Sequence, residues 1–254
     1  MNIAIIFAGG VGRRLGSEAN IPKQFLHVNS KPIIIHTLEL FQQNENIDKI
    51  YIAIHPDYYE LMEQLVEQYF ITKTAGIVNG GKTGQDSIYN ALVRVAEENP
   101  EDTIVLLHDG VRPHVTQAVI DRNIETAQKY GTAITCTPCT ETILISNDGE
   151  QPQEVPYRKD TFSGQAPQTF ILKEILEAHE IERKTNPDYE DVVDSCTLFK
   201  KQGKATKMVM GNLRNIKITT LEDLYIFRAL IRYHEDCEIF NSPKQDLVGV
   251  RYAK

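Results

Sequence analysis

The first thirty residues constrain the fold of this chain more than any other segment. A short run of apolar, β-prone residues, 3–7, leads directly into Ala8-Gly9-Gly10 and a loop that holds Gly12 and Arg14. Such a run predicts a buried parallel strand that opens into a loop with an accessible main chain. Glycines let main-chain N–H groups approach an anion with no Cβ in the way. Because Lys23 follows closely and adds positive charge, the segment is suited to bind the triphosphate of a nucleotide.

Strand and helix patterns alternate through most of the chain. Apolar runs predict strands over residues 2–7, 50–54, 103–107, 206–210 and 216–218. Helical spacing of apolar residues, with a capping pattern at Thr220 for the last helix, predicts helices over 32–41, 57–70, 85–98, 116–129, 173–183 and 220–240. This alternation predicts an α/β fold: a Rossmann-like, doubly wound, mostly parallel sheet with helices on both faces.

One segment breaks the alternation. Residues 140–146 and 154–157 have strand patterns on either side of a turn at 147–149, which predicts an inserted β-arm over about residues 139–165. A hairpin inserted into a doubly wound sheet has little of its own chain to pack against. We therefore expect the arm to pack on a second copy in a homodimer. The rest is expected to be one domain over residues 1–240, followed by a polar tail at 241–254.

Composition argues against several classes of protein. The chain of 254 residues is 41% hydrophobic and 24% charged, as in ordinary globular proteins, and no run approaches the roughly 20 apolar residues that span a bilayer. No basic segment precedes the first apolar run, so we expect a cytoplasmic protein with no membrane partner. The net charge of −8 argues against a nucleic-acid partner. It allows an anionic small substrate, because a few cations in a cleft can outweigh the global charge.

The four cysteines include the spaced pair Cys136 and Cys139. Neither Cys196 nor Cys237 belongs to the second close pair that a four-ligand zinc site needs. A redox pair opens a helix, whereas residues 140–145 have a strand pattern. We therefore expect ordinary, partly buried thiols in a reducing compartment.

A set of motifs occurs in order along the chain. They are Gly-Gly-Val-Gly-Arg-Arg-Leu-Gly at 9–16, Pro-Lys-Gln-Phe-Leu at 22–26, Asn-Gly-Gly-Lys-Thr-Gly-Gln-Asp-Ser at 79–87, Leu-His-Asp-Gly-Val-Arg-Pro at 107–113, Tyr-Arg at 157–158, Gln-Ala-Pro-Gln-Thr-Phe at 165–170 and Asn-Ile-Lys-Ile-Thr at 215–219. Together they resemble the polyol-phosphate cytidylyltransferases over residues 2–230. The two best-known branches of that family act on ribitol 5-phosphate and on 2-C-methyl-D-erythritol 4-phosphate, the latter in isoprenoid synthesis.

The resemblance implies a Mg²⁺-dependent transfer of CMP from CTP to a polyol phosphate, with pyrophosphate released. The catalytic cations it implies are Arg14, Lys23 and Lys217, and Asp109 is the implied metal ligand. The implied nucleotide-binding residues are Ala8, Gly9, Gly10, Gly12, Gly80, Gly81, Ser87 and Gly110. The phosphate of the polyol would be bound by Thr142 and Arg158 of the arm, contributed by the neighbouring subunit of a dimer.

Several residues depart from the family pattern. Arg214 stands where the isoprenoid branch usually has an aspartate that binds the metal, so Asp109 is expected to be the one protein carboxylate on Mg²⁺. Arg214 and Val111 favour the ribitol branch, which makes ribitol 5-phosphate the leading acceptor and methylerythritol phosphate the alternative. Gly84 and Ala166 replace an arginine and a threonine that are common in the family.

A second alternative is a non-catalytic nucleotide-binding subunit. Loss of a metal ligand is its expected signature, and Arg214 points that way. Retention of Lys23, Asp109 and Lys217, together with Arg14, argues against it, because a binding module has no need for the full set.

Four residues near the motifs have simpler interpretations. A phosphate nucleophile is already ionised near neutral pH and needs no general base, so we interpret His108 as structural. Arg112 is expected to brace the loop after Asp109. Asp191 and Asp194 fit either acidic surface residues or the lining of the polyol pocket, and we favour the surface.

Overall fold

The computed structural model describes residues 1–10 and 21–239, except the side chain of Glu238. The predicted site residues Gly12 and Arg14 and the predicted tail at 241–254 lie outside these ranges. The strands are β1 (Asn2–Ala8), β2 (His27–Val28), β3 (Lys31–Pro32), β4 (Lys49–Ile54), β5 (Thr74–Asn79), β6 (Ile104–Asp109), β7 (Thr132–Pro138), β8 (Phe162–Ile171) and β9 (Met208–Met210). The helices are α1 (Ile33–Gln43), α2 (Tyr59–Gln68), α3 (Gly84–Glu98), α4 (Gln117–Tyr130), α5 (Leu172–Thr185), α6 (Ser195–Lys201) and α7 (Leu221–Ile239).

Seven of these strands form one sheet in the order β5-β4-β1-β6-β8-β7-β9. Strand β1 pairs in parallel with β4 and with β6, and β4 pairs in parallel with β5. Strand β8 runs antiparallel to both of its neighbours. The sheet is therefore mostly parallel, which confirms the predicted fold class.

Alternate residues of the central strands face two separate apolar cores. One core packs α1, α2 and α4 against strand residues such as Ile6 and Leu106. The other packs α3, α5 and α6 against the opposite face, through residues such as Ile5 and Leu107. Both faces of the parallel strands are thus covered, as in a doubly wound fold, and this explains why their sequences are apolar without alternation.

The ends of several helices follow their local sequence signals. The Thr83 hydroxyl accepts a hydrogen bond from the Asp86 N–H at the start of α3. At the end of α4, Gly131 has a φ of +82°, a conformation that glycine adopts without the cost a Cβ imposes. The predicted capping pattern of α7 is present, because the Asp223 carboxylate accepts from the Thr220 N–H at 2.8 Å.

The predicted β-arm is present, but with much less strand pairing than expected. Residues 140–146 and 154–157 form no extended strands; their pairing is reduced to one antiparallel bridge between Ile145 and Glu154. Strand β7 ends at Pro138, just before this segment, and the next strand, β8, begins at Phe162. The arm therefore spans residues 139–161, and every residue from Thr140 to Val155 is exposed. Within residues 1–10 and 21–239, no strand or helix lies beneath the arm, so its main chain has no partner strand along most of its length.

A second predicted strand, at 216–218, is also absent. This segment connects β9 to α7 in an irregular conformation, and it is held by a hydrogen bond of 2.9 Å from the Ile218 N–H to the Val111 carbonyl. Ile218, Val111 and Phe227 belong to a third apolar cluster, which joins the segment to α7. The apolar pattern of the segment thus reflects burial rather than strand pairing. None of the helices in the described part of the chain is both long enough and apolar enough for a bilayer crossing.

Candidate active site

The site lies beside β1, where the chain stops adding strands on one side of the sheet and begins to add them on the other. From β1 the chain adds β4 and then β5 on one side, and it returns to place β6 on the other side of β1. In such sheets a crevice opens at the carboxyl ends of the strands on either side of the reversal. Phe7, near the end of β1, is paired with Asp109 at the end of β6, so the carboxylate reaches this crevice.

Two glycine turns meet at this crevice. The Gln24 side chain donates to the Ala8 carbonyl at 2.8 Å and to the Gly10 carbonyl at 3.2 Å, which holds the turn after β1. A Cβ at Gly9 would lie 2.7 Å from the Ser87 Oγ, and one at Gly80 would lie 3.0 Å from the same atom. Glycine is therefore required for the two turns to approach each other so closely.

Ser87 supports the second turn from beneath. Its hydroxyl accepts from the Gly81 N–H at 3.0 Å and donates to the Thr83 carbonyl at 2.9 Å. The side chain is buried and is used within the turn. Gly110 is buried too: its N–H donates to the Phe7 carbonyl at 3.0 Å, and its carbonyl accepts from the Thr37 hydroxyl at 3.0 Å. In the structure, Ser87 and Gly110 hold the walls of the site.

Asp109 is held between two cations. The Lys217 Nζ lies 2.6 Å from Oδ1, and the Arg112 Nε lies 2.8 Å from Oδ2. Burial raises the pKa of Asp109, but the charges of Lys217 and Arg112 more than offset this and keep the pKa below its ordinary value. Arg112 also donates to the Asn215 carbonyl at 2.9 Å. The expected role of Arg112 as a brace is confirmed, and the brace reaches the segment that carries Lys217.

His108 has the structural environment that was expected. It is completely buried and packs against Phe41, and its Nε2 donates to the Arg112 carbonyl at 3.0 Å. Burial lowers the pKa of His108 to about 4, so the ring is neutral near pH 7. It lies behind the loop that holds Arg112 and contributes no charge to the site.

Lys23 and Lys217 are brought together by the irregular segment before α7. The Lys23 Nζ donates to the Ile218 carbonyl at 2.9 Å, next to Lys217 in the chain. The predicted strand at 216–218, which would have carried Lys217, does not form. The position of Lys217 is set instead by the hydrogen bonds and the apolar packing of Ile218.

Two adjoining cavities share the pair formed by Lys217 and Asp109. The smaller, of about 200 Å³, is lined by the ends of both glycine turns and by Lys23. The larger, of about 250 Å³, is lined by Arg112 and by residues of β8 and the N-terminus of α6. The cavities also share Phe7 and Gly84. A carboxylate and an ammonium group therefore stand at the junction of the two cavities.

The larger cavity includes residues that the sequence analysis placed elsewhere or assigned no role. Asp194 lines it, so the expected surface location of this residue is wrong, whereas Asp191 is exposed as expected. Asp194 caps α6 through the Thr197 N–H at 2.7 Å and accepts from the Gln168 side chain at 2.8 Å. Gln165 and Gln168 belong to a motif noted in the sequence, but neither was assigned a function. The spacing of Asp194 and Thr197 is a helix N-cap signal that could have identified α6.

Thr142 and Arg158 lie apart from this crevice. Both are exposed in the arm, and neither is among the described residues that line the two cavities.

Cys136 is buried in β7, where burial raises its pKa to about 11, and none of the four cysteines forms a disulfide. In the described part of the chain, no cluster of three metal-ligating side chains is present. Cys136 and Cys237 are buried and Cys139 and Cys196 are partly buried, which agrees with the expected burial of the thiols.

Comparison with known proteins identifies the family. The family model described as IspD: 2-C-methyl-D-erythritol 4-phosphate cytidylyltransferase matches residues 2–233. The chain belongs to the IspD family. It is 40% identical over 241 residues to a ribitol-5-phosphate cytidylyltransferase of Vibrio parahaemolyticus, covering 94% of this chain and 100% of the relative. It is 39% identical over 230 residues to a 2-C-methyl-D-erythritol 4-phosphate cytidylyltransferase of Clostridium botulinum, covering 91% of this chain and 97% of the relative.

Solved structures of the IspD family have the same fold. The crystal structure of 4-diphosphocytidyl-2C-methyl-D-erythritol synthase from Anaerococcus prevotii aligns with a TM-score of 0.77 at 27% identity. The alignment covers 91% of this chain and 96% of that one. Membership in the IspD family confirms the resemblance seen in the sequence motifs.

Proposed function

We propose that this protein transfers CMP from CTP to ribitol 5-phosphate and so produces CDP-ribitol and pyrophosphate. The observation that carries this proposal is the ion pair of Lys217 and Asp109 at the junction of two cavities. The smaller cavity presents glycine main chain and Lys23, which suit a nucleotide triphosphate. The larger has room for a small acceptor and polar side chains around it.

The reaction needs positioning and charge neutralisation more than covalent chemistry by the protein. The acceptor phosphate attacks the α-phosphorus in line, and negative charge increases at the pentacoordinate centre as pyrophosphate leaves. Lys217 stands at the junction, where it can stabilise that charge. Lys23 is proposed to bind the triphosphate, and Arg14, which lies outside the described residues, is proposed to share this role.

The nucleotide contacts follow the two glycine turns. The main chain of Ala8, Gly9, Gly10 and Gly81 lines the smaller cavity, and we propose that it binds CTP together with Gly80. Gly12 is proposed as part of the same turn. The acceptor phosphate is ionised near neutral pH, so the neutral, buried His108 is not needed as a base.

We propose that Asp109 holds a Mg²⁺ ion together with phosphate oxygens of CTP. A carboxylate that lines both cavities offers the oxygen ligand that Mg²⁺ prefers, and Mg²⁺ commonly takes one or two protein carboxylates plus phosphates. Arg214 does not supply a second ligand; its guanidinium packs on the Tyr233 ring at 4.7 Å. When bound, the ion would neutralise charge on the phosphates. Asp109 would hold the ion, and the Lys217 ammonium beside it is placed to interact with the α-phosphate.

Ribitol 5-phosphate is the preferred acceptor of the two that the relatives suggest. The ribitol-5-phosphate enzyme of Vibrio matches 94% of this chain, compared with 91% for the methylerythritol enzyme of Clostridium, at nearly equal identity. Arg214, at the position where the isoprenoid branch carries an aspartate, supports the same choice. Methylerythritol phosphate remains the second candidate because the matching family model carries its name.

We propose that the protein acts as a homodimer and that the arm completes the site of the neighbouring subunit. The arm exposes Leu144, Val155 and Tyr157, at 60%, 56% and 64% of their surfaces. Apolar side chains grouped in this way favour contact with another protein surface. In the dimer, Thr142 and Arg158 would bind the phosphate of the acceptor in the partner's larger cavity.

We also propose a cytoplasmic location, which the four free cysteines fit.

Pyrophosphate release tests the proposed reaction. Purified protein with CTP and Mg²⁺ would be assayed in parallel with ribitol 5-phosphate and 2-C-methyl-D-erythritol 4-phosphate. We expect release with ribitol 5-phosphate to exceed release with the other acceptor by at least about tenfold in kcat/KM. Preference for methylerythritol phosphate would move the protein to the other branch. CTP binding without release from either acceptor would instead support the non-catalytic binding subunit.

A further inference from the structure

A network of side chains joins α5 to the glycine turn at residues 79–81, outside both cavities. Arg183, near the end of α5, places its NH1 atom 2.6 Å from the Asp86 Oδ1. Its guanidinium stacks over the Tyr89 ring, with 4.4 Å between the guanidinium carbon and the ring centroid, and lies 5.8 Å from the Tyr189 ring. The ion pair links residues that are 97 positions apart in the chain.

Asp86 connects this network to the turn. Its Oδ2 accepts from the Thr83 hydroxyl at 3.2 Å, and its N–H donates to the same hydroxyl oxygen at 3.0 Å. Gly81 packs directly on Asp86, so closely that a Cβ at Gly81 would overlap the Asp86 side chain. The position of Asp86 therefore determines where Gly81 can lie.

The other end of the network is anchored in the core. His179 is completely buried, and its Nδ1 lies 2.7 Å from the Tyr189 hydroxyl. Burial lowers the pKa of His179 to about 3, so the ring is neutral near pH 7 and hydrogen-bonds to that hydroxyl through Nδ1. The Arg183 guanidinium lies against the ring of Tyr189 as well as that of Tyr89. Arg183 is thus held by the Asp86 carboxylate and by two aromatic rings, and its guanidinium fork is oriented before any ligand binds.

We propose that Arg183 is a positioning residue for nucleotide binding: through Asp86, it fixes the glycine turn that forms one wall of the smaller cavity. This inference rests on the proposed function, because it takes CTP as the ligand of that cavity. Arg183 lines neither cavity among the described residues, so its effect on CTP is indirect.

Two physical effects make Arg183 important for an anionic ligand. The Asp86 side chain is only 13% exposed, so removing the arginine leaves a mostly buried carboxylate without its countercharge. That carboxylate would repel the phosphates of CTP. It would also move toward water and take the Gly81 main chain with it. Both effects weaken CTP binding, and neither acts directly on the acceptor cavity.

Calorimetric titration with CTP and Mg²⁺, without acceptor, tests this role in the full-length protein. The variant is Arg183→Met, which keeps an apolar stem and removes the fork. The matched control is Lys173→Met, which removes a cation from the same helix, where Lys173 pairs with exposed Glu101. We expect the Kd for CTP to rise about tenfold in Arg183→Met and to stay within about twofold of wild type in the control.

Steady-state kinetics separates positioning from a general loss of structure. We expect Arg183→Met to raise KM for CTP by a similar factor while KM for the acceptor stays within about twofold of wild type. A CTP affinity within twofold of wild type in Arg183→Met, or an equal rise of both KM values, overturns the inference. If Arg183→Met does not fold, Arg183→Lys decides, because lysine keeps the charge without the fork. It is expected to weaken CTP binding about threefold, and unchanged binding overturns the inference.

The same experiment separates this inference from the proposed function. Wild-type protein that binds CTP but transfers CMP to neither acceptor contradicts the proposed function and leaves the comparison of variants intact. Wild-type protein that does not bind CTP overturns both.

Discussion

The crevice at the end of the sheet is held in place by contacts within one chain to a much greater extent than the arm at residues 139–161. At the crevice, β6 is buried along its whole length, and Asp109 at its end is held by two cations. In the arm, residues 140–155 are all exposed, and Leu144 and Tyr157 present most of their surfaces to solvent. The crevice, which we propose binds the nucleotide, is thus organised within a single chain. Thr142 and Arg158, proposed to bind the acceptor, lie instead on an exposed segment.

This contrast has a consequence for catalysis. Sites built on rigid strands hold their groups in place before the substrate arrives, which reduces the cost of binding and of reaching the transition state. The arm gains comparable order only if a second copy covers its apolar side chains. We therefore expect nucleotide binding to depend on local packing at the glycine turns and acceptor binding to depend on dimerisation.

Replacing a glycine by alanine in each region is expected to give the largest difference. In Gly81→Ala the new Cβ overlaps Asp86, so we expect CTP affinity to fall by at least about a hundredfold. In Gly149→Ala, in the arm, no atom lies within 4 Å of the new Cβ, and the φ of +76° costs about 1 kcal/mol locally. Its CTP affinity should stay within about twofold of wild type. Equal losses of CTP affinity in the two variants, measured by calorimetry, would show that the glycine turn and the arm do not differ in their effect on nucleotide binding.

A charge in the arm is expected to have the next largest effect. Leu144→Asp would place a carboxylate in the proposed dimer contact, which should weaken the dimer at least about tenfold. The matched control is Phe70→Asp, because Phe70 is 79% exposed and lies outside the arm. Sedimentation velocity over a range of concentrations measures the change. A wild-type protein that sediments as a monomer at micromolar concentration would contradict the proposed interface.

Acid should affect the buried scaffold through histidines that the arm lacks. The pKa of His179 is lowered from 6.5 to about 3 by burial, so the folded protein binds fewer protons than the unfolded chain between these values. Stability is then lost as pH falls below about 6.5 and continues to be lost toward about 3. His179→Asn keeps an acceptor for Tyr189 without titrating in this range. Between pH 7 and pH 5 we expect it to lose about 2 kcal/mol less unfolding free energy in urea than wild type. A loss equal to that of wild type would contradict this cause.

Much of the fold could be predicted because it depends on local and repeated signals. Unbroken apolar runs identified β1, β4 and β6, apolar spacing identified α1 and α3, and apolar spacing with a cap identified α7, all within a few residues. Asp109 came from the family resemblance, and the structure places it at the end of β6, beside β1, where a crevice of this kind of sheet opens. Lys23 and Lys217 came from a family resemblance, and the structure places their segments side by side.

The errors arose where tertiary contacts decide the conformation. Residues 140–146 are β-prone, yet the single chain offers them no partner strand, so propensity alone does not produce pairing. The apolar residues near Lys217 pack on α7 instead of forming a strand. The contact of Arg183 with Asp86 joins segments far apart in the chain, and no local pattern marks it. Asp194 was placed on the surface because the helix it caps was not predicted.

We propose that Lys217, at the junction of the two cavities, stabilises charge at the reacting phosphorus. The single-turnover rate of Lys217→Met, measured with saturating CTP, Mg²⁺ and ribitol 5-phosphate, tests this role. Lys204→Met is the control for loss of a lysine. The account predicts that the rate of pyrophosphate formation falls about a thousandfold while the Kd for CTP changes by less than about fivefold. A rate within tenfold of wild type, or a loss explained entirely by weaker CTP binding, would contradict it.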